Sequence, residues 1–304
     1  IAFSRGIMKI LLALLFIVNI SHAKIRVVTT TPDLAWLVKE IGKERVEVIS
    51  LLEGNEDPHY VDAMPHWIAK VSKADVFCFV GMELEVGWAP KVLSRSANGK
   101  VQSGGKGHCN AGKTVKALEK PVGQVNRSLG DVHAGGNPHY HLGPTFFLQA
   151  GETIMSVLME VDSKGTETYL KNLDKLSYKM EILKKRVVEI LKPKGGLNII
   201  SYHKEFSYFF KDFGLNSSGE IEETPGVPPS AGRIARVGLS AKRKKIHLAL
   251  ATTTNPKKIL NKFKEISGVP VAVVPLSILK SGYPANYEQL ILTLAKSIAE
   301  KSKM

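Results

Sequence analysis

Three histidines stand in settings that would suit a metal ion. Pro58-His59-Tyr60 recurs later as Pro138-His139-Tyr140, and His203 ends the apolar run 198–202. Neutral imidazole is a common ligand of Zn²⁺, and three histidines with a fourth position left open make a known tetrahedral arrangement. Because proline restricts the backbone before each repeated histidine, both rings could be held in a fixed direction. We predict that His59, His139 and His203 form one metal site, provided that the fold brings them together.

The remaining histidines are weaker candidates for this site. His141 lies two residues from His139, and in an extended segment the two side chains would point to opposite sides. We favour His139 because it repeats the Pro-His-Tyr context of His59. His133 lies in a long irregular loop, from which it could reach a metal, whereas His66 is expected to be solvated on a helix.

The segments that must position these histidines alternate between strand and helix. In the first half we predict strands at 25–29, 46–52 and 75–80, a helix from Thr31-Pro32 to Gly42, a short helix at 65–71, and an irregular, glycine-rich stretch at 93–136. This alternation predicts a parallel sheet. Ligands of such sheets bind just beyond the carboxyl ends of the strands, which is where His59 lies.

The second half repeats this logic after a long charged helix. A helix is predicted at 145–161, a longer one at 166–191, strands at 198–202, 219–222, 246–251 and 269–274, and helices at 205–213, 255–266 and 284–304. The helix at 166–191 keeps apolar three- and four-residue spacing and is long enough to span a domain. We therefore predict an α/β protein whose two lobes, each a parallel-type sheet flanked by helices, are joined by one long rigid connector helix. The expected boundaries are 24–163, 164–193 and 194–304.

Catalysis is less favoured by the sequence than binding. A hydrolytic zinc enzyme needs a general base beside the metal-bound water, and no His-Glu-x-x-His pattern is present. The carboxylates Glu56, Asp131 and Glu205 are available, but no spacing marks one of them as a base. We expect a receptor and not an enzyme, with a secreted zinc-dependent hydrolase as the alternative.

The chain is basic, with a formal net charge of +14. Such a balance can indicate nucleic acid, but the densest run, Lys242 to Lys245, is best interpreted as a solvated helix end. No nucleic-acid motif is present. We expect a monomer with no nucleic-acid partner.

The two cysteines, Cys78 and Cys109, leave two alternatives open. Cys78 lies within the predicted strand 75–80, where it could be a small buried hydrophobic residue. A disulfide is equally compatible with the sequence if the protein is exported.

Residues 1–23 have the pattern of a secretory signal peptide. Arg5 and Lys9 precede the apolar run 10–18, and Ser21-His22-Ala23 is a small-x-small cleavage site. The residue directly after that site is Lys24 and not a cysteine. We expect a periplasmic or otherwise extracytoplasmic protein, exported by a cleavable signal peptide and without a lipid anchor on cysteine.

Several motifs occur together and in order over nearly all of the chain after residue 23. They are Glu56 to Tyr60, Asp131-Val132-His133 leading into Gly136 to Tyr140, and Ser201 to Phe206 followed by Tyr208-Phe209. In this combination the chain resembles the zinc- and manganese-binding solute receptors of bacterial ABC importers. The resemblance implies two α/β lobes on a rigid helix, metal bound between them, and delivery to a permease in the cytoplasmic membrane. By position, the family's three histidine ligands fall on His59, His139 and His203.

The chain departs from that family where a fourth ligand is expected. The family supplies Asp or Glu from the second lobe, but the strand end here reads Val273-Val274-Pro275-Leu276-Ser277. Water or a more distant group such as Glu288 could take the position, and His133, His141 and Glu205 are further candidates as ligands or as partners of ligands. Three nitrogens with few carboxylates favour Zn²⁺ over Mn²⁺, which prefers oxygen. A metal-binding surface adhesin on the same scaffold is a further alternative.

Overall fold

The computed structural model describes residues 23–123, 130, 132–192, 196–224 and 226–302. Except for Ala23, the predicted signal peptide lies outside these residues. None of the helices described has both the length and the apolar character that crossing a membrane requires.

The first half forms a four-stranded parallel sheet in the order β2-β1-β3-β4. Its elements are β1 (Ile25–Thr29), α1 (Pro32–Gly42), β2 (Val46–Ser50), α2 (Pro65–Val71), β3 (Val76–Phe79), α3 (Ala89–Ser96), β4 (His108–Asn110) and α4 (Pro144–Val161). The start of α1 follows the prediction: the Thr31 side chain accepts the N–H of Leu34, and Pro32 opens the first turn, where no N–H is needed.

The stretch at 93–136 is less irregular than the sequence predicted. Helix α3 extends to Ser96, and β4 adds a short fourth strand to the sheet. A strand of three residues is too short to show a readable alternation, so the sequence pattern missed it. On β4, Cys109 stands in register with Cys78 of β3, and the two form a disulfide with their Cα atoms 4.4 Å apart.

The second half forms another four-stranded parallel sheet, in the order β6-β5-β7-β8. Its elements are the connector α5 (Thr166–Leu191), β5 (Asn198–Ser201), α6 (Ser207–Phe213), β6 (Asn216–Glu220), α7 (Ala231–Arg243), β7 (Leu248–Thr252), α8 (Lys257–Ser267), β8 (Val271–Val274) and α9 (Tyr287–Lys301). The predicted fold class, two parallel α/β lobes with a long helix between them, is confirmed.

One hydrophobic core runs through both lobes and the connector. Where the lobes meet, Trp36 of α1 stacks on Tyr287 of α9 with ring centroids 5.2 Å apart, and Phe147 of α4 lies 4.7 Å from the same tyrosine. Because burial of apolar surface is the main favourable term in folding, this shared core ties the lobes together. The domain boundaries at 163 and 193 stay a prediction, since the core crosses both.

Hydrogen bonds to two carboxylates fix the relative orientation of the elements that meet at this apolar interface. The Asp33 carboxylate of α1 accepts the Ser277 hydroxyl and, at 3.0 Å, the N–H of Ile278 beyond β8. Asp212 of α6 accepts the N–H of Thr145 at 2.8 Å. That carboxylate stands at the N-terminus of α4, where a negative charge is favourable. The segment after β8 and helix α6 are thereby fixed against the first lobe.

A carboxylate also secures the junction of α4 with the connector. Asp162 accepts hydrogen bonds from the Arg45 guanidinium and the Tyr169 hydroxyl, each at 2.7 Å. Burial raises the pKa of Asp162, but the hydrogen bonds from Tyr169 and Arg45 outweigh it, so the pKa is lowered overall. The folded protein therefore favours the ionised carboxylate.

We expect Asp162→Asn to lower the free energy of unfolding by about 2 kcal/mol near pH 7, since hydrogen bonds to a charged group are lost. A carboxyl whose folded pKa is lowered stabilises the fold above its unfolded pKa of about 4. That contribution is lost as the pH falls through the folded pKa, so the difference between the two proteins should shrink in acid. Urea denaturation measures both effects. The matched control is Asp174→Asn, at an exposed position of α5; equal stability of Asp162→Asn and the unsubstituted protein at pH 7 would contradict the assignment.

Candidate metal centre

Four histidine rings meet where the carboxyl ends of the two sheets face each other. His59 follows β2, His133 and His139 precede α4, and His203 follows β5. The ring centroids of His59, His139 and His203 are 5.5, 5.6 and 6.3 Å apart pairwise, and the ring of His133 lies 5.2 Å from that of His59. The fold thus brings together the three histidines selected from the sequence and adds His133 to them.

The rings of His59 and His139 are held in the same way. Asp57 Oδ1 lies 2.7 Å from Nδ1 of His59 and also accepts the backbone N–H of His59 at 3.0 Å. Asn137 Oδ1 lies 3.0 Å from Nδ1 of His139 and accepts the backbone N–H of His139 at 2.9 Å. Because these oxygens can only accept, each ring carries its proton on Nδ1 and keeps an electron pair on Nε2.

His203 is oriented from a different element. Its Nδ1 lies 2.9 Å from Oε2 of Glu222, which follows β6. The N–H of Glu222 in turn donates to the carbonyl of Tyr202 at 3.1 Å, which ties the two segments together. A carboxylate on Nδ1 again directs Nε2 as the electron-pair donor, the arrangement that usually supports a histidine ligand of a metal.

His139 is the most deeply placed of the three rings. It is 2% exposed, and its Nε2 has no hydrogen-bond partner among the described residues. Burial, followed by the nearby His59 and His203, lowers the pKa of His139 well below its ordinary value. The ring is therefore neutral, and its buried acceptor is left unsatisfied, which is costly. A cation bound among the rings would satisfy it.

His133 caps His59 in the structure. The two Nε2 atoms are 3.2 Å apart. Since the proton of His59 lies on Nδ1, His133 must donate its own Nε2–H to His59. Burial, then the neighbouring His59 and His203, lowers the pKa of His133 to about 4, so this ring is neutral as well.

The rings converge without forming a complete metal site. Over the part of the chain that the structure describes, no three His, Cys, Asp or Glu side chains stand ready to hold a metal ion. One electron pair of the cluster is engaged by a proton, and a cation must replace that N–H. The convergence of the rings and their fixed tautomers are nevertheless in place.

The cavity beside the rings is lined by acidic as well as imidazole side chains. Its lining includes Asp57, His59, His139, His203, Glu205, Glu222 and Leu276. Burial raises the pKa of Asp57, but the side-chain and backbone hydrogen bonds from His59 and the nearby His59 and His203 rings together outweigh it, so the pKa is lowered overall. Glu205 is 3% exposed, and burial raises its pKa. The cavity thus brings nitrogen ligands together with carboxyl groups, of which Asp57 favours the ionised form.

Other residues considered from the sequence have different positions. His141 donates Nε2–H to the carbonyl of Leu276 at 2.9 Å, which joins the first lobe to the end of β8. Glu288 lies on α9 against the Arg186 guanidinium of the connector, so it is not among the groups brought to the rings. Glu56 accepts the N–H groups of its own loop, and His66 is exposed.

Sequence reasoning missed the three residues that orient the rings: Asp57, Asn137 and Glu222. A signal for two of them was present, because an Asp or Asn stands two residues before His59 and His139 with proline between. Nothing local marks Glu222, which reaches His203 from a neighbouring strand end.

A family model described as the periplasmic zinc-uptake complex component A matches residues 27–301. Among curated proteins, the zinc-binding lipoprotein AdcA of Streptococcus pneumoniae is 24% identical over 302 residues, which cover 94% of this chain and 58% of the relative. The manganese ABC transporter substrate-binding lipoprotein PsaA of the same species is 29% identical over 217 residues, covering 67% of this chain and 66% of PsaA. The chain therefore spans only 58% of the length of AdcA.

Solved structures share the two-lobe fold. A ZnuA deletion mutant with zinc bound superposes with a TM-score of 0.76 at 22% identity, covering 93% of this chain and 99% of the other. FpvC from Pseudomonas aeruginosa in complex with Mn²⁺ also gives 0.76, at 18% identity, covering 92% of this chain and 98% of FpvC. At such identities the likeness shows the fold alone.

The hydrogen-bond pattern predicts a specific set of tautomers in the metal-free protein. At about pH 8, where ordinary imidazoles are neutral, His59, His139 and His203 should carry the proton on Nδ1. His133 and His141 should carry it on Nε2. Long-range ¹H–¹⁵N correlation spectra of ¹⁵N-histidine-labelled protein, assigned by single His→Gln variants, distinguish the two forms.

The exposed His66 is the internal control, since it should show the averaged shifts of a solvated ring. A proton found on Nε2 of His139 would contradict the orientation assigned to that ring.

Proposed function

This chain belongs to the family of periplasmic zinc-uptake complex component A proteins, and we propose that it is an extracytoplasmic receptor that captures Zn²⁺ between its two lobes. It then delivers the ion to the permease of an ABC importer. The observation that carries this proposal is the meeting of three imidazole rings from both lobes, each with an acceptor on Nδ1, so that Nε2 is the nitrogen with the electron pair for a cation.

The ligands in this proposal are Nε2 of His59, His139 and His203. Two come from the first lobe and one from the second, so a bound ion bridges the lobes. In the metal-free state His133 donates a hydrogen bond to Nε2 of His59. It moves aside when the ion enters. His141 has a structural role, because its Nε2–H is engaged by Leu276.

Zinc is the favoured cargo on the chemistry of the donors. Imidazole nitrogen suits Zn²⁺, whereas Mn²⁺ prefers carboxylate, carbonyl and water oxygens. Relatives are named for each of these metals, zinc for AdcA and manganese for PsaA, so family membership alone does not choose between them. The three nitrogen donors support the proposal of zinc.

Binding and transport, not catalysis, is the role that we propose. The relatives reported above are named for metal binding and transport, and the hydrolase alternative has no support among them. Several are named lipoproteins, which runs against the expectation of a chain without a lipid anchor. The signal segment on which that expectation rested lies outside the described residues.

Substitution of the ligands is the direct test. We expect His59→Ala, His139→Ala and His203→Ala each to weaken Zn²⁺ binding by about 100-fold or more, at least the effect of losing an outer-shell partner of a ligand. Competition with a chromophoric chelator measures the affinity. His66→Ala should bind like the unsubstituted protein, because this ring is exposed and outside the site. Equal losses in all four variants would overturn the ligand assignment.

Metal identity is tested by competition on the unsubstituted protein. Metal-free protein, dialysed against equimolar Zn²⁺ and Mn²⁺, is expected to retain about one zinc per chain and little manganese. Elemental analysis after dialysis gives the ratio. Protein that held manganese and no zinc would exclude the proposed cargo, and protein that held neither would exclude the receptor role.

A further inference from the structure

We propose that the Glu205 carboxylate supplies a fourth, anionic ligand to the bound ion. This inference rests on the proposed function, since it concerns the same site. The resemblance to metal receptors led us to expect a carboxylate at the end of β8, and this chain has none there. Glu205 approaches the cavity from a different element, the turn that follows β5.

Glu205 lies two residues after His203, in the turn that follows β5. The turn Lys204–Phe206 begins directly after His203, so one short segment carries a proposed ligand and the carboxylate. Glu205 lines the same cavity as His59, His139 and His203. A single turn can therefore direct both side chains towards one ion.

The carboxyl group has an oxygen that the fold does not satisfy. Glu205 is 3% exposed, and its Oε2 is buried with no hydrogen-bond partner among the described residues. A buried polar oxygen without a donor is costly. Among the described residues, Nε2 of His139 is the other atom of this cavity in that condition. An electron-pair donor from each lobe is thus left buried and unpartnered beside one cavity.

The other carboxylates of the cavity already have partners. Asp57 is engaged by His59, and Glu222 by His203. Asn255 lines the same cavity as Glu205, and its Oδ1 accepts the N–H of Thr252 at 2.7 Å. Among the carboxylate oxygens of this cavity in the described residues, Oε2 of Glu205 is the one that is both fully buried and without a hydrogen-bond partner.

The end of β8 does not compete for this role. Leu276 presents an aliphatic side chain to the cavity, and the Ser277 hydroxyl is turned to Asp33. Three neutral imidazoles bring no negative charge into direct contact with Zn²⁺, and a buried charge without a partner in contact is unfavourable. A Glu oxygen is an ordinary zinc ligand, and it would reduce that charge by one.

The test compares Glu205→Gln with Glu223→Gln, an exposed carboxylate near the cavity and the matched control. We expect Glu205→Gln to lower Zn²⁺ affinity by about 100-fold, in the range that loss of a metal-supporting group produces, and Glu223→Gln to leave it unchanged. Co²⁺ provides a second readout. The visible absorption bands of the Co²⁺-loaded protein should shift in Glu205→Gln, because an anionic oxygen is lost, and should stay the same in the control.

Glu205→Asp is the second variant, for the case that Glu205→Gln does not fold. It keeps the charge on a shorter side chain, and we expect a smaller loss of affinity. Unchanged Zn²⁺ affinity and unchanged Co²⁺ bands in the folded Glu205 variants would overturn the inference. If the His→Ala variants were still impaired in that case, the proposed function would stand. An unsubstituted protein that bound no metal would instead reject the proposed function itself.

Discussion

The hydrogen bond on Nδ1 of each converging ring is the interaction on which the candidate site depends. An imidazole can place its proton on either nitrogen, and only one choice leaves Nε2 able to bind a cation. Here the choice is made by Asp57, Asn137 and Glu222, two carboxylates and one amide. In the two Pro-His-Tyr segments the same oxygen also accepts the backbone N–H, so the backbone and the ring are fixed by one atom.

These local contacts would not converge without the shared core. The rings come from loops on two separate sheets, and small rotations of one sheet against the other would separate them. The aromatic contacts among α1, α4 and α9 and the carboxylates Asp33 and Asp212 oppose such rotations. The connector α5 adds its apolar face to the same core. The precision of the site is therefore a property of the whole interface between the lobes.

Much of this arrangement could be predicted from the sequence because its determinants are local. The alternation of strands and helices, the cap at Thr31 and the Pro-His repeat each lie within a short window. The partners Glu222 and Asp212, and the pairing of Cys109 with Cys78, arise between segments that are distant in the chain. Glu288 was a candidate ligand from the sequence, but it lies away from the rings because α9 packs on the connector. That packing is also a contact between distant segments, which the sequence does not show.

For the receptor function proposed above, the common core bears on how an importer could distinguish a loaded receptor from an empty one. In receptors whose lobes swing apart, the spacing between them can report whether cargo is present. Here that spacing is held by burial that does not involve the cargo. In the proposed mechanism, information about occupancy would then be confined to the surface near His133, whose hydrogen bond to His59 an incoming ion would displace. A transporter would then have to recognise a local change around His133 and not a change in the relative orientation of the lobes.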